Sequence, residues 1–252
     1  MGRWVLGVVA WLALALPAYA APILGTKWGN PTRGTGATIS YSFVADGVPQ
    51  NETSWGNVPG ANVGFERFLT GDFRRVVREA FDVWSRAANL TFVEVADGGE
   101  VFGAAGSGDI RFWGGYTEEP YLAWTYFPFA APEAGDLFLN SRFDFVTAGL
   151  EGFRLDWILV HEIGHSLGLL HDPFDGSSIM FPNYPSNRGQ LNQSDIAAIQ
   201  LLYGPPLAQV PAPGSLVLLG VGIIGLALRR RSQGIGGQRL VLWTPRRKPR
   251  RA

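Results

Sequence analysis

The chain has no cysteine. That excludes disulfides, thiolate metal sites and thiol nucleophiles. Histidine is almost as scarce, with three in 252 residues. Charge is also sparse, at 17% Asp, Glu, Lys and Arg. What is plentiful is glycine, with 33 residues, and tryptophan, with nine. Apolar residues make up 46% of the chain, enough for a real core. The balance suits a compact domain rich in strands and turns, not a disordered chain. A domain of this size needs no disulfide staples, so the missing cysteine is compatible with export.

A formal net charge of zero hides an asymmetry. From Arg229 to Ala252 there are nine basic residues and no acidic one, so the chain ahead of Arg229 carries about −9. An acidic body argues against nucleic acid as a partner. The ends read as addresses. Residues 1–20 have the form of a signal peptide: Arg3, an apolar stretch from Trp4 to Leu16, Pro17, then Ala18-Tyr19-Ala20 with cleavage expected after Ala20. A retained membrane anchor is the alternative, though the apolar stretch is short for a span.

Toward the other end, residues 205–213 form a Pro-rich linker with Pro205, Pro206, Pro211 and Pro213. Gly214 to Leu228 then runs without charge into Arg229-Arg230-Arg231. A buried core helix is the alternative, but an all-round apolar run that ends in arginines fits a membrane better. Val210-Pro211-Ala212-Pro213, the apolar run and the arginines resemble a PEP-CTERM sorting segment over residues 210–231, with the anchor and arginine cluster at 214–231. That resemblance implies transient inner-membrane anchoring and processing by an exosortase-type enzyme. Ala212 stands where that family usually has Glu, and a basic tail, 232–252, follows without an assigned role.

Residues 21–204 are expected to form one domain. Thr38 to Val44 alternates as a half-buried strand, and Asn51 to Gly64 is rich in turn formers. Phe73, Val76, Val77, Ala80, Phe81, Trp84 and Ala88 recur at helical spacing behind Asp72, which can serve as N-cap. Further strands are expected at Leu90–Val95, Asp109–Trp113, Tyr121–Phe127 and Asp136–Leu139. Two more helices are expected, over Leu155–Leu167 and between a capping Asn192, with Asp195 three residues on, and Gly204. This order is α+β.

All three histidines fall in the eleven residues His161-Glu162-Ile163-Gly164-His165-Ser166-Leu167-Gly168-Leu169-Leu170-His171. His161 and His165, four apart, share a helix face and can reach one ion. His171 would face away on a continuing helix, so the helix must stop. Gly168 suits that stop, because it enters the left-handed region without a Cβ clash. Three neutral histidines leave a fourth position open, the arrangement of a catalytic Zn2+. Glu162 adjoins that position and suits a general base.

Downstream, Met180 follows the third histidine by nine residues, with Pro182, Asn183 and Tyr184 close behind. Together these motifs resemble the metzincin peptidases, and within them the matrixin branch. The resemblance spans residues 27–204 and matches at His161, Glu162, His165, Gly168 and His171. It implies a zincin-like domain: a small twisted mixed sheet, three main helices and a zinc cleft beneath an edge strand, for which Tyr121–Phe127 is the candidate. Met180 would form the Met-turn, and Pro182, Asn183 and Tyr184 would line the specificity pocket. Asp109 and Asp136, with Asn140 and Asp144, lie where the family often binds Ca2+; ordinary turn acids are the alternative. Pro182 replaces the tyrosine ligand of serralysins and astacins. The upstream histidines of a second, structural zinc and the latency cysteine of vertebrate matrixins are missing.

The expected function is therefore an exported, secreted or cell-surface zinc endopeptidase acting on protein or peptide. Two alternatives stand beside it: a surface-matrix protein with a structural or vestigial metal site, and a metal-dependent hydrolase of another bond.

Overall fold

The computed structural model describes residues 20–50, 60–146, 152–183 and 189–207. The chain divides into two units, Met1–Leu207 and Ala208–Ala252, and the described residues all belong to the first. The expected signal peptide, but for Ala20, the apolar run 214–228 and the basic tail lie outside the described residues. No helix among the described residues is long and apolar enough to cross a membrane.

Seven strands and four helices follow one another among the described residues. They are β1 (Ala37–Phe43), α1 (Phe65–Phe68), α2 (Phe73–Ala87), β2 (Leu90–Glu94), β3 (Ile110–Gly115), β4 (Ala123–Thr125), β5 (Leu137–Asn140), β6 (Phe145–Val146), β7 (Phe153–Arg154), α3 (Leu155–Ser166) and α4 (Gln193–Tyr203). Five strands form one mixed sheet in the order β2-β1-β3-β5-β4. Every pairing in it is parallel except β4 with β5, which is antiparallel with Trp124 opposite Phe138. β4 is thus an edge strand. Its pairing is reinforced by Trp124 and Phe138, whose rings stack at 4.1 Å.

The core lies between this sheet and the helices. α2 begins where the Asp72 side chain accepts the Arg75 N–H at 3.0 Å. It buries Phe73, Val76, Val77, Ala80, Phe81 and Trp84 of the stripe read from the sequence, together with Ala87; Ala88, the last residue of that stripe, is buried as the C-cap. α3 is different. Leu155, Ile158, Leu159, Val160, Ile163 and even Gly164 are all buried, so the helix is enclosed on most sides. Trp84 of α2 donates its indole N–H to the Val160 carbonyl at 3.0 Å, locking the two helices together.

The expected architecture holds, with adjusted bounds. The edge strand is only three residues long, β3 begins one residue after Asp109, and β5 reaches Asn140. The last helix carries a full capping box between Asn192 and Asp195, as the sequence pattern predicts. The short α1 lies just beyond the segment Asn51–Gly64, of which residues 51–59 are outside the described residues. The two-residue strands β6 and β7 are too short to leave a period in the sequence.

Candidate metal centre and cleft

His161 and His165 project from the same face of α3, with ring centroids 4.8 Å apart. The helix ends in a Schellman turn. The Gly168 N–H bonds to the His165 carbonyl at 2.9 Å, and the Leu169 N–H to the Gly164 carbonyl at 3.0 Å. Gly168 has φ +100°, and a Cβ there would sit 2.5 Å from the Thr26 carbonyl oxygen. No other residue type fits that turn without strain. The returning chain is held on both sides, by Leu170 N–H to Pro22 O and by Asp172 N–H to Met180 O, each 2.8 Å. His171 lies between those two anchors. The result is that one nitrogen from each of His161, His165 and His171 falls within 4.8 Å of the others.

The donor set fits a tetrahedral zinc. His161 Nδ1 lies 2.6 Å from the Ile179 carbonyl oxygen, and His165 Nδ1 lies 2.8 Å from that of Leu169. A carbonyl accepts only from N–H, so both rings keep the proton on Nδ1 and present a bare Nε2. The Nε2 atoms of His161 and His171 are 3.3 Å apart. Two nitrogens bound at about 2.05 Å in a tetrahedron stand about 3.3–3.4 Å apart. Burial holds all three imidazoles below their ordinary value, His165 furthest, with His161 also acting on its two neighbours. Neutral rings at pH 7 are what a metal needs.

Glu162 is buried beside this group. Burial pushes its carboxyl up to about 7, while a hydrogen bond from Thr125 opposes the rise. That bond, from Thr125 Oγ1 to Glu162 Oε2, measures 2.7 Å. Met180 is fully buried beneath α3, where a Cβ on Gly164 would meet its sulfur at 2.5 Å. Asp195 organises the segment leading to Met180. Its carboxylate accepts from Ser178 Oγ at 2.5 Å and from the Ile179 and Asn192 N–H groups at 3.0 and 2.9 Å. The capping pattern in the sequence announces only the last of these contacts.

Two cavities meet at Glu162 and His171. One, of about 610 Å³, is lined by Glu119, Trp124, Thr125, Phe127 and Leu170. The other, of about 420 Å³, is walled by Phe143, Phe153, Ile158, Phe181, Pro182 and Asn183. Tyr121 and Ala123 border both, so β4 runs along one trench. Pro182 and Asn183 thus reach the cleft wall, and Tyr184 lies outside the described residues. Phe143, Phe153 and Ile158 carry no sequence signal for this place, since their approach depends on the fold.

The acids expected near calcium are spread among other partners. Asp109 Oδ2 accepts from Ser40 N–H and Oγ, each at 2.7 Å. Asp136 Oδ2 accepts from the Trp113 indole at 2.9 Å. Asn140 is wholly buried, and its Nδ2 faces the carbonyls of Thr117, Glu119 and Tyr121 at 3.1–3.2 Å. Among the described residues, the histidines form the one group of three or more His, Asp or Glu side chains spaced to hold an ion.

Comparison with known proteins agrees with this geometry. Residues 65–204, more than half of the chain, match the family described as Matrixin. Residues 209–231 match the PEP-CTERM protein-sorting motif. The chain is 34% identical over 156 residues to matrix metalloproteinase-16 of Mus musculus, covering 56% of this chain and 25% of that protein. It is 32% identical over 142 residues to interstitial collagenase of Bos taurus, covering 53% of this chain and 29% of that protein. The chain thus spans little more than a quarter of the length of the curated relatives it matches.

Proposed function

Because the chain belongs to the matrixin family, we propose that it is a zinc-dependent endopeptidase exported from the cell. His161, His165 and His171 hold the metal, and Glu162 is the general base. The observation that carries this reading is the convergence of three neutral imidazoles beside a buried carboxylate at the foot of an edge strand.

A bound Zn2+ supplies Lewis acidity toward the scissile carbonyl and the attacking water. The chain's own residues do the rest. The substrate lies extended along β4 and offers main-chain hydrogen bonds to its free edge. Glu162 takes a proton from the attacking water and returns it to the leaving amine. Burial raises the Glu162 carboxyl, which makes it a better proton acceptor for the first of these transfers. The apolar cavity walled by Phe143, Phe153 and Ile158 takes a substrate side chain, with Pro182 and Asn183 at its wall. Met180 supports the two helical histidines from below.

Residues 1–20 direct export as a signal peptide. The PEP-CTERM motif then holds the protein at the inner membrane until an exosortase-type enzyme releases it to the surface or the medium. Calcium has no assigned place in this reading.

The test is proteolysis of an unfolded protein by the zinc-loaded full chain, beside Glu162→Ala. We expect one zinc per chain in both proteins and cleavage by the wild type alone. Equal cleavage by the variant removes Glu162 as the base. No cleavage by either, with folding still sensitive to a chelator, points instead to the surface-matrix alternative.

A further inference from the structure

Thr125 occupies a singular position in the cleft. It is the last residue of the edge strand β4, and it is also the hydrogen-bond partner of Glu162. Both side chains are buried, at 7% and 8% exposure. The β4–β5 ladder shows how the backbone is used. Tyr126 N–H bonds to Asp136 O at 2.9 Å, and Asn140 N–H to Leu122 O at 3.0 Å. Antiparallel pairing alternates, so Leu122, Trp124 and Tyr126 direct their main-chain groups to β5. Ala123 and Thr125 direct theirs the other way, toward the trench. One residue therefore offers its backbone to the cleft and its hydroxyl to the carboxylate.

We propose that Thr125 is a positioning residue for Glu162, coupling the strand that receives the substrate to the group that moves the proton. This rests on the reading of Glu162 as general base. A buried Glu has three side-chain torsions to settle before it can act. The Thr125 hydroxyl donates to Oε2 and sets the plane of the carboxylate, leaving Oε1 for the reacting water. Threonine is suited to this, because a β-branched side chain in a strand is stiff at χ1 and holds its hydroxyl in place. The coupling also has a direction. A peptide that pairs with the trench-facing backbone of Thr125 steadies the residue that aims the base.

The experiment uses the full chain loaded with zinc and a fluorogenic peptide. Thr125→Val keeps the shape and removes the hydroxyl; Thr125→Ser keeps the hydroxyl. We expect Thr125→Val to lower kcat roughly 10- to 100-fold with KM within about twofold. Its zinc content and melting temperature should stay near wild type. Thr125→Ser should recover most of kcat. Should valine impair folding, Thr125→Ala takes its place in the same comparison. Wild-type kcat in Thr125→Val overturns the proposal, as does a serine variant no better than valine, or a loss confined to KM. Glu162→Ala run alongside separates the two ideas. Activity in that variant removes the base itself, whereas a dead Glu162→Ala with an unaltered Thr125→Val removes only the role of Thr125.

Discussion

His161 and Ile179 are joined by a 2.6 Å contact between Nδ1 and the carbonyl oxygen. Through it, a helix residue that faces the metal position is oriented by the residue just before Met180. The Ile179 N–H is in turn held by Asp195 at 3.0 Å, and Asp195 also caps α4. A carboxylate 34 positions away in sequence thus fixes the ring of His161. Asp195→Ala should weaken zinc binding about 10- to 100-fold, the usual effect of removing an outer partner of a metal ligand. It should also cost about 1 kcal/mol from the lost cap. Zinc competition with a coloured chelator and thermal melting measure the two effects separately.

Gly164 has no room for a side chain. Its Cβ would meet Met180 Sδ at 2.5 Å and the Trp84 ring at 3.0 Å. Gly164→Ala should destabilise the protein by about 1–3 kcal/mol through overpacking. Combining it with Met180→Ala should recover part of that loss, because the nearest obstacle is removed. A double-mutant cycle in urea reads the coupling. Strict additivity would show that the two residues do not share that space.

Asn140 acts as a hub for the loop that leads into β4. Its Nδ2 faces three carbonyls, and its Oδ1 accepts the N–H groups of Thr117 and Arg142 at 3.2 and 3.1 Å. Asn140→Asp puts a carboxylate oxygen against carbonyl oxygens and should cost about 1–3 kcal/mol. Asn140→Leu, which loses the same donor, should also melt below wild type, and an unchanged melting temperature in both variants would remove the hub. Since Glu119 and Tyr121 line the cleft, both variants should also raise KM.

Asp136 governs an alkaline limb of stability. Burial pushes its carboxyl up to about 8, with the charge of Arg111 and the bond from Trp113 opposing. A group raised in the folded state contributes stability that is complete below its unfolded value near 3.8 and is lost as pH rises through about 8. Melting temperature should fall across that interval. Asp136→Asn keeps an acceptor for Trp113 and removes the titration, so its profile should be flatter. The histidines act with the opposite sign, since lowered values cost stability as pH falls below about 6.5. Parallel profiles for wild type and Asp136→Asn would remove Asp136 from this role.

The parts that were legible in sequence are those whose physics is local. The stripe of α2, its Asp72 cap and the Asn192–Asp195 capping box all depend on neighbours three or four positions away. So does the shared face of His161 and His165. The bend at Gly168 could be anticipated because His171 has no other way to reach the same point. The edge strand was harder to bound, since Tyr121–Phe127 reads as seven residues of strand and only Ala123–Thr125 pair. A strand ends where its partner ends, and the partner is distant in sequence.

Sequence alone therefore determined the chemistry available. It supplied three imidazoles and a carboxylate at helical spacing, a glycine to end the helix, and no thiol to compete. Only the tertiary structure decided how those groups are held. Ile179 and Leu169 carbonyls set the tautomers, Thr125 reaches Glu162 across 37 residues, and the Asn140 amide takes up three carbonyls. Spacing along a helix is a property of the chain itself. The direction of a hydrogen bond between distant segments exists only once the core has packed them together.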